Sequence, residues 1–249
     1  MKDYNPFSLI GKVILVTGAS SGIGRQTCVE ASRMGAQVVL TGRRREELNK
    51  TLSLMEGENH LALTADLTKD EDIEALVSQL PVLDGFVCNA GITKRLPIKF
   101  IKREDLYSVF GTNVFAGMLL TKAIVKAKKI RSGGSIVFTS SKAAYQNTPG
   151  NSIYATSKAA IDSFARGCAL ELAPKIRANA ILPGMVETPL IHNGALSDEN
   201  IEKDKDRYLL KRYGTAEEIA WAIIYLLSDA SAWITGSSFV IDGGGYVNS

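Results

Sequence analysis

The chain has 249 residues, 45% of them hydrophobic and 22% charged, which is the composition of an ordinary globular protein and excludes general disorder. Its net charge of +3 is too small to indicate a nucleic-acid surface, and no basic and aromatic platform is present. The three cysteines form no CxxC motif and have no histidine nearby, so we expect neither a disulfide framework nor a metal site.

The N-terminal sequence has no apolar segment of the kind that a signal peptide needs. No later stretch reaches the roughly 18 consecutive apolar residues that a membrane-spanning helix requires. We therefore expect a soluble, cytoplasmic protein that does not bind a membrane.

Short apolar runs alternate with helical stretches from one end of the chain to the other. In chain order the sequence predicts a strand at 13–16, a helix at 23–34, a strand at 37–40, a helix at 46–55, a strand at 60–63, a helix at 73–80, a strand at 85–88, a long helix at 105–129 ended by Gly133-Gly134, a strand at 135–139, a helix at 153–172, a strand at 177–182, a helix at 216–227 and a strand at 238–241.

This alternation is typical of βαβ units, which form a parallel sheet covered by helices on both faces. We therefore predict one α/β domain over residues 1–249 with a doubly wound parallel sheet. The polar stretch Glu187 to Arg207 has no clear periodicity, and a loop of that length inside a compact domain is usually functional.

A glycine-rich turn joins the first predicted strand to the first helix, with the spacing Gly18-x3-Gly22-x-Gly24. Glycine lets the backbone turn tightly and approach a pyrophosphate, and the helix N-terminus offers free N–H groups to the anion. The alternative is a plain turn, but the position after the first strand favours dinucleotide binding. The expected cofactor contacts here are Gly18, Ser20, Ser21, Gly22, Ile23 and Gly24.

The end of the second predicted strand carries Arg43, Arg44 and Arg45, and no acidic residue lies between Gly35 and Arg45. NAD-binding sites usually place an Asp or Glu here to bind the ribose hydroxyls. A guanidinium instead binds a 2′-phosphate, so NADP(H) is favoured over NAD(H). Arg43 is the first candidate for the phosphate contact and Arg44 the second; the alternative is a solvated helix start.

Tyr154 and Lys158 are four residues apart, so a helix places both on one face. A nearby ammonium lowers the tyrosine pKa from about 10 toward a value useful for proton transfer. The alternative is an exposed aromatic beside a solvated lysine. Position favours catalysis, because Ser141 follows the fifth strand, at the edge of the sheet where open α/β folds bind ligands. Ser141 is placed to hold a carbonyl oxygen, or alternatively to cap the strand end.

With these residues in place, the sequence resembles the short-chain dehydrogenase/reductase family, in the branch of chains of about this length. The matching motifs, in the family's order and over almost the whole chain, are Thr17-Gly18-x3-Gly22-x-Gly24, Asp66-Leu67, Asn89-Ala90-Gly91, Asn113, Ser141, Tyr154-x3-Lys158, Pro183-Gly184 with Thr188, and Ile241-Asp242-Gly243-Gly244. The stretch Arg212 to Ala220 is similar to that of bacterial 3-oxoacyl-[acyl-carrier-protein] reductases.

The resemblance implies a single-domain Rossmann-type fold, direct hydride transfer and a role for each matching residue. Tyr154 would be the general acid or base, Lys158 would lower its pKa and bind the nicotinamide ribose, and Ser141 would polarise the carbonyl. Asn113 would hold a proton-relay water through its main chain in a kinked helix; the alternative is a buried polar group. Asp66 would face the adenine; the alternative is an N-cap. Further expected cofactor contacts are Leu67, Asn89, Ala90, Gly91, Pro183, Gly184, Val186 and Thr188.

The sequence does not select one substrate. Family members bind substrate through the loop after the sixth strand and the residues after Ser141, which are here Glu187 to Arg207 and Lys142 to Ser152. A 3-oxoacyl thioester on acyl carrier protein, a small ketone, a keto-sugar and a steroid-like carbinol all stay open. A basic surface for an acidic carrier protein, or simply a solvated charged face, is formed by Lys94, Arg95, Lys99, Lys102 and Arg103.

The resemblance also implies a homotetramer or homodimer, formed by the helix around Ala116 to Lys126 and the helix of Tyr154. The alternative of another class is a non-catalytic NADP(H)-binding sensor or scaffold. The presence of Asn113, Ser141, Tyr154 and Lys158 favours the enzyme, because a binder has no chemical need for all four.

Overall fold

Seven strands alternate with helices in the computed structural model, which describes residues 4–192 and 203–245. The strands are β1 (Val13–Thr17), β2 (Gln37–Gly42), β3 (Leu61–Thr64), β4 (Leu83–Cys88), β5 (Ile130–Thr139), β6 (Ile176–Pro183) and β7 (Ser238–Ile241). The helices are α1 (Gly22–Arg33), α2 (Arg45–Leu52), α3 (Asp70–Gln79), α4 (Arg103–Phe110), α5 (Ala116–Lys126), α6 (Ser152–Leu172), α7 (Pro189–His192) and α8 (Ala216–Leu227).

All the strands pair in parallel, in the order β3-β2-β1-β4-β5-β6-β7. The doubly wound parallel sheet predicted from the sequence is therefore confirmed. The strand order reverses between β1 and β4, and such a switch point opens a crevice at the carboxyl ends of the strands.

Alternate residues of each strand enter different cores, because side chains along a strand point to opposite faces of the sheet. On one face Leu15 and Phe86 pack with residues of α3, α5 and α6. On the other face Ile14 and Val16 pack with residues of α1 and α8. Each apolar side chain fully buried in this way contributes about 1.5–3 kcal/mol to folding. Two covered faces leave the carboxyl edge of the sheet as the open surface.

The long helix predicted at 105–129 is instead built from three segments and ends earlier. A π-helical turn, Gly111–Phe115, joins α4 to α5, and α5 ends at Lys126. Gly133 and Gly134 lie inside β5, which begins at Ile130 rather than at residue 135. The prediction failed because β5 already pairs with β4 at Ile130, which lies opposite Leu83. The pairing then shifts register before Ser135, and the two glycines allow the strand to bend at that irregularity.

The helical stretch Arg103–Lys126 is long and apolar enough, by length and composition, to cross a membrane, with a mean hydropathy of 1.4. Its inward face carries Val114, Leu120 and Ile124, which belong to the core beneath the sheet. The apolar inward face of this helical stretch is therefore packed against the protein core.

Candidate active site

The carboxyl ends of the central strands open into one cleft of about 1170 Å³. The predicted site residues line this cleft with two exceptions, Gly24 and Asn113, which are not part of its lining. The predicted residues that belong to its lining are Gly18, Ser20, Ser21, Gly22, Ile23, Arg43, Arg44, Asp66, Leu67, Asn89, Ala90, Gly91, Ser141, Tyr154, Lys158, Pro183, Gly184, Val186 and Thr188. Residues from most of the chain thus meet at the edge where the strand order reverses.

The glycine turn after β1 has the tight geometry that its spacing predicts. Gly18 and Gly22 have φ values of +65° and +54°, which side chains other than glycine rarely adopt. A Cβ on Gly24 would lie 2.3 Å from the Gly18 carbonyl oxygen and 2.5 Å from Asn89 Nδ2. Gly24 therefore lets α1 pack closely against the turn, which is a different role from direct cofactor contact.

The loop after β4 holds this turn in place. Thr17 Oγ1 accepts hydrogen bonds from the backbone N–H groups of Asn89 (3.0 Å) and Ala90 (3.1 Å). Asn89 Nδ2 donates to the Thr17 carbonyl oxygen at 3.1 Å. The ends of β1 and β4 are fixed to each other, so the glycine turn forms a preformed, open cradle at the N-terminus of α1. That cradle fits a pyrophosphate.

The arginines after β2 divide into two groups. Arg43 and Arg44 line the cleft, and Arg44 Nη2 donates to Ser20 Oγ at 3.3 Å. Arg45 instead donates to the Ala62 carbonyl oxygen at 2.7 Å and lies outside the cleft lining. Two guanidinium groups and a hydroxyl at one end of the cleft form a cationic site that fits a phosphate.

Glu47 on α2, which lines the cleft beside these arginines, is held by cations. Its carboxylate accepts hydrogen bonds from Lys50 and Arg25, each at 2.7 Å, and these bonds lower the pKa of Glu47. Arg25 Nη2 also donates to the Ser20 carbonyl oxygen. Arg25 was not singled out from the sequence, although its place directly after Gly24 in the first turn of α1 is a signal for such a bracing role.

Asp66 forms a local turn after β3. Its Oδ1 accepts from the backbone N–H (3.1 Å) and the hydroxyl (2.8 Å) of Thr68. The hydroxyl bond, with a smaller contribution from Arg43, lowers the pKa of Asp66. The alternative N-cap role is wrong, because α3 begins at Asp70 and its N-cap is Lys69.

Tyr154 and Lys158 lie one turn apart on α6, with Lys158 Nζ 5.7 Å from the centre of the Tyr154 ring. Burial raises the pKa of Tyr154, and the nearby Ser141 hydroxyl opposes that rise. The lowering of the Tyr154 pKa that the sequence predicts from Lys158 is therefore not found, because desolvation of the buried phenol dominates. Ser141 comes from the segment directly after β5 and begins a short 3-10 turn, whose Ala143 N–H donates to Ser141 Oγ at 3.2 Å. A tyrosine and a serine hydroxyl are thus offered together to the cleft.

The Lys158 ammonium is buried and directed into the site. Its Nζ donates to the Thr139 carbonyl oxygen at 2.8 Å, and burial lowers the pKa of Lys158 to about 8. A Cβ on Gly91 would lie 3.2 Å from Nζ, so glycine at that position leaves the ammonium accessible from the cleft. Ser140 Oγ donates to the Lys158 carbonyl oxygen at 2.7 Å, which fastens α6 to the end of β5.

Asn113 lies in the π-helical turn between α4 and α5, where a kinked helix is expected. Its Oδ1 accepts from the Ile92 N–H at 2.8 Å, and its Nδ2 donates to the Ile92 carbonyl (2.9 Å) and Ser157 Oγ (2.9 Å). The side chain is a buried polar group committed to these partners. Only the main chain of Asn113 is left for the proton-relay role.

The segment after β6 reaches back over the glycine turn. Gly184 N–H donates to the Ile241 carbonyl at 2.9 Å, and Glu187 N–H donates to Gly214 at 2.9 Å. A Cβ on Gly22 would lie 3.3 Å from Thr188, so the two segments face each other across the cleft. Of the predicted substrate loop, residues 193–202 lie outside the described part of the chain.

Comparison with known proteins agrees with this geometry. Residues 18–245 match the family model described as Enoyl-(Acyl carrier protein) reductase. Glucose 1-dehydrogenase of Gluconobacter oxydans (strain 621H) is 35% identical, over 94% of this chain and 91% of that protein. The 3-oxoacyl-[acyl-carrier-protein] reductase FabG of Thermotoga maritima is also 35% identical, over 95% of this chain and 98% of that one.

A crystal structure with bound NADP resembles the fold over its full length. It is of a Beutenbergia cavernae protein assigned as an NAD(P)-dependent gluconate 5-dehydrogenase, which is 30% identical, with a TM-score of 0.89. The match covers 98% of this chain and 100% of that one. The fold and the cleft define an α/β oxidoreductase of the nicotinamide-dependent kind. The chain belongs to the short-chain dehydrogenase/reductase family.

Proposed function

We propose that the protein is an NADP(H)-dependent oxidoreductase that interconverts a carbonyl and an alcohol by direct hydride transfer. The observation that carries this proposal is the meeting of Ser141, Tyr154 and Lys158 in the cleft that also contains the glycine turn. Hydride transfer needs a site that orients the cofactor against the substrate carbon and supplies one proton. These residues supply both functions.

The residues divide the chemistry in a simple way. A bound nicotinamide supplies the hydride in reduction and accepts it in oxidation. Tyr154, kept protonated by its raised pKa, gives its proton to the carbonyl oxygen during reduction, and Ser141 holds that oxygen. The Lys158 ammonium, 5.7 Å from the Tyr154 ring centre, would stabilise the phenolate that forms. The N–H groups that it does not donate to Thr139 would hold a ribose hydroxyl.

Two observations support NADP(H) rather than NAD(H). Arg43 and Arg44 flank the end of the cleft beyond the glycine turn, and Ser20 joins them through its bond to Arg44. The crystal structure of the Beutenbergia cavernae relative contains NADP at low occupancy. The cofactor preference follows from the charge at this end of the cleft, because a 2′-phosphate gains two guanidinium partners there.

The test is to follow NADPH oxidation at 340 nm with simple ketones, keto-sugars and 3-oxoacyl thioesters, and to repeat each assay with NADH. Turnover that requires a carbonyl substrate supports the enzyme. Tight NADPH binding without turnover of any compound would instead favour the non-catalytic sensor or scaffold.

The alkaline pH dependence should report Lys158. Its ammonium is charged below a pKa of about 8 and neutral above it, while Tyr154 stays protonated because its pKa is raised. We expect kcat/KM for NADPH, which reports groups of the free enzyme, to be level below pH 8 and to fall about tenfold per pH unit above it. A profile that stays level up to pH 10 would contradict this assignment.

A carrier-protein substrate is a second candidate, favoured by the FabG relative and by a basic surface beside the cleft. Lys94 is neutralised there by Asp105, and Arg103 donates to Tyr107 at 3.4 Å. Arg95 lines the cleft, and Lys99 and Lys102 are exposed. Reduction of a 3-oxoacyl chain on acyl carrier protein, much faster than on a free thioester, would support this candidate.

We propose a homotetramer or homodimer formed through the outer face of α5. Phe115, the last residue of the π-helical turn before α5, and Met118 and Leu119 on α5 occupy helical spacing and are 49%, 37% and 38% exposed. Sedimentation at micromolar concentration is expected to show a dimer or tetramer, and the double variant F115E/L119E is expected to be a monomer because it would bury charge in the interface. A wild-type protein that sediments only as a monomer would contradict the proposal.

A further inference from the structure

The substrate end of the cleft contains two polar groups that the proposed hydride transfer does not use. The Lys142 ammonium and the Gln146 side chain both line the cleft, on the segment that directly follows Ser141. A single turn fixes them, because Gln146 N–H donates to the Lys142 carbonyl oxygen at 2.9 Å. Ser141 and these two side chains therefore line one cleft.

Gln146 presents an unsatisfied acceptor. Its Oε1 is buried and has no hydrogen-bond partner among the described residues. A buried polar atom without a partner is costly, and native proteins rarely keep one without a functional reason. A ligand group that donates a hydrogen bond would satisfy Gln146.

Lys142 presents unsatisfied donors. Its Nζ lies 4.6 Å from the centre of the Tyr208 ring and lies beside Gly245, where a Cβ would be 2.6 Å away. Within the part of the chain that the structure describes, Nζ donates no hydrogen bond and forms no close ion pair. Partial burial lowers the pKa of Lys142. The ammonium is thus positioned by packing against Tyr208 and Gly245, and its N–H groups are left for a ligand.

The charges around Lys142 are balanced. Asp242 and Asp204 raise its pKa, whereas Arg207 lowers it. Asp204 accepts from the Tyr213 hydroxyl at 2.9 Å and pairs with Arg207 at 3.3 Å, and Asp242 Oδ1 accepts from Gly244 N–H at 3.0 Å. The Lys142 ammonium thus lies among charges of both signs rather than in a purely cationic site.

From this arrangement we infer that Lys142 and Gln146 select a polyhydroxylated carbonyl or alcohol, of the size of a small sugar or polyol. A hydroxyl group is both donor and acceptor, so neighbouring hydroxyls satisfy the Gln146 oxygen and the Lys142 ammonium together. An unsubstituted acyl or ring carbon would leave both unpaired, and sites built to bind a hydroxyl reject analogues that lack it. This inference rests on the proposed function and names its substrate class.

The experiment compares matched ketones with NADPH, namely L-erythrulose against 2-butanone and D-fructose against 2-hexanone, with an acetoacetyl thioester as a third class. For the wild-type protein we expect kcat/KM to be at least tenfold higher for the hydroxylated member of a pair. In K142M and Q146L this ratio should fall at least tenfold, mainly through KM, while the Kd for NADPH is unchanged. Matched controls are K175M and Q79L, whose side chains are exposed outside the cleft.

Three results would overturn the inference. The first is a wild-type kcat/KM that is higher for the thioester or the simple ketones than for the hydroxylated ketones. That result would refute the polyol substrate but would still support the proposed hydride transfer. The second is an unchanged ratio in both variants. If no compound is turned over, the proposed function fails, and saturation-transfer NMR of D-glucose and D-gluconate on the NADP⁺-loaded protein then decides. Binding that is lost in K142M and Q146L supports the polyol site. Absence of binding to the wild-type protein is the third result, and it refutes the site.

Discussion

Replacing Tyr154 with Phe is expected to lower kcat for carbonyl reduction about a hundred- to ten-thousand-fold, the range that general acid catalysis contributes. Phe keeps the ring that packs beside Lys158 and removes only the hydroxyl. Ser141 and Lys158 remain, so the carbonyl and the ribose keep their other partners. The loss should therefore be in kcat, with little change in the Kd for NADPH measured by fluorescence titration.

The matched control for this variant is Tyr225→Phe. Tyr225 lies on α8, its ring contacts Phe7 and Phe239, and it is outside the lining of the cleft. Its variant should keep wild-type kcat. If Tyr154→Phe kept more than about a tenth of the wild-type kcat, Tyr154 would not be the proton donor.

The parts of the fold that follow from hydrophobic periodicity could be read from the sequence. Val13 to Val16 forms a strand as predicted because an apolar, β-branched run ended by Thr17-Gly18 has few other ways to bury its side chains. The site residues could also be placed, because the carboxyl ends of parallel strands must meet at one edge. Most of the predicted site residues line the cleft because they follow strands whose carboxyl ends meet there.

Other features depend on contacts between distant segments, which periodicity does not contain. The π-helical turn at Asn113 is fixed by bonds to Ile92 and Ser157, residues 21 and 44 positions away. The early start of β5 depends on the pairing of Ile130 with Leu83. Neither pairing leaves a signal in the local sequence.

The Tyr154–Lys158 pair shows the same limit in its energetics. Spacing predicted that both lie on one helix face, and they do. It did not predict that burial lowers the pKa of Lys158 to about 8, since that value depends on the covering of Nζ by neighbouring segments. Geometry along one helix was readable, whereas the environment assembled around it was not.

The second large effect is expected at the arginines after β2. The double variant R43A/R44A should lower kcat/KM for NADPH about a hundredfold or more. Each charged hydrogen bond to a phosphate contributes about 1.5–3 kcal/mol, which is about ten- to a hundredfold. NADH lacks the 2′-phosphate, so its kcat/KM should change by less than about threefold. Arg43→Ala alone should carry much of the loss if it is the principal partner of the phosphate.

The structure offers a close control, Arg45→Ala. Arg45 is the next residue in the chain and carries the same charge, but it donates to the Ala62 carbonyl and lies outside the cleft lining. If long-range charge alone set the cofactor preference, all three arginine variants would weaken NADPH use to a similar extent. If direct contact sets it, only Arg43 and Arg44 matter. Equal losses with NADPH and NADH in R43A/R44A would show that these residues support the fold of the cleft rather than bind the phosphate.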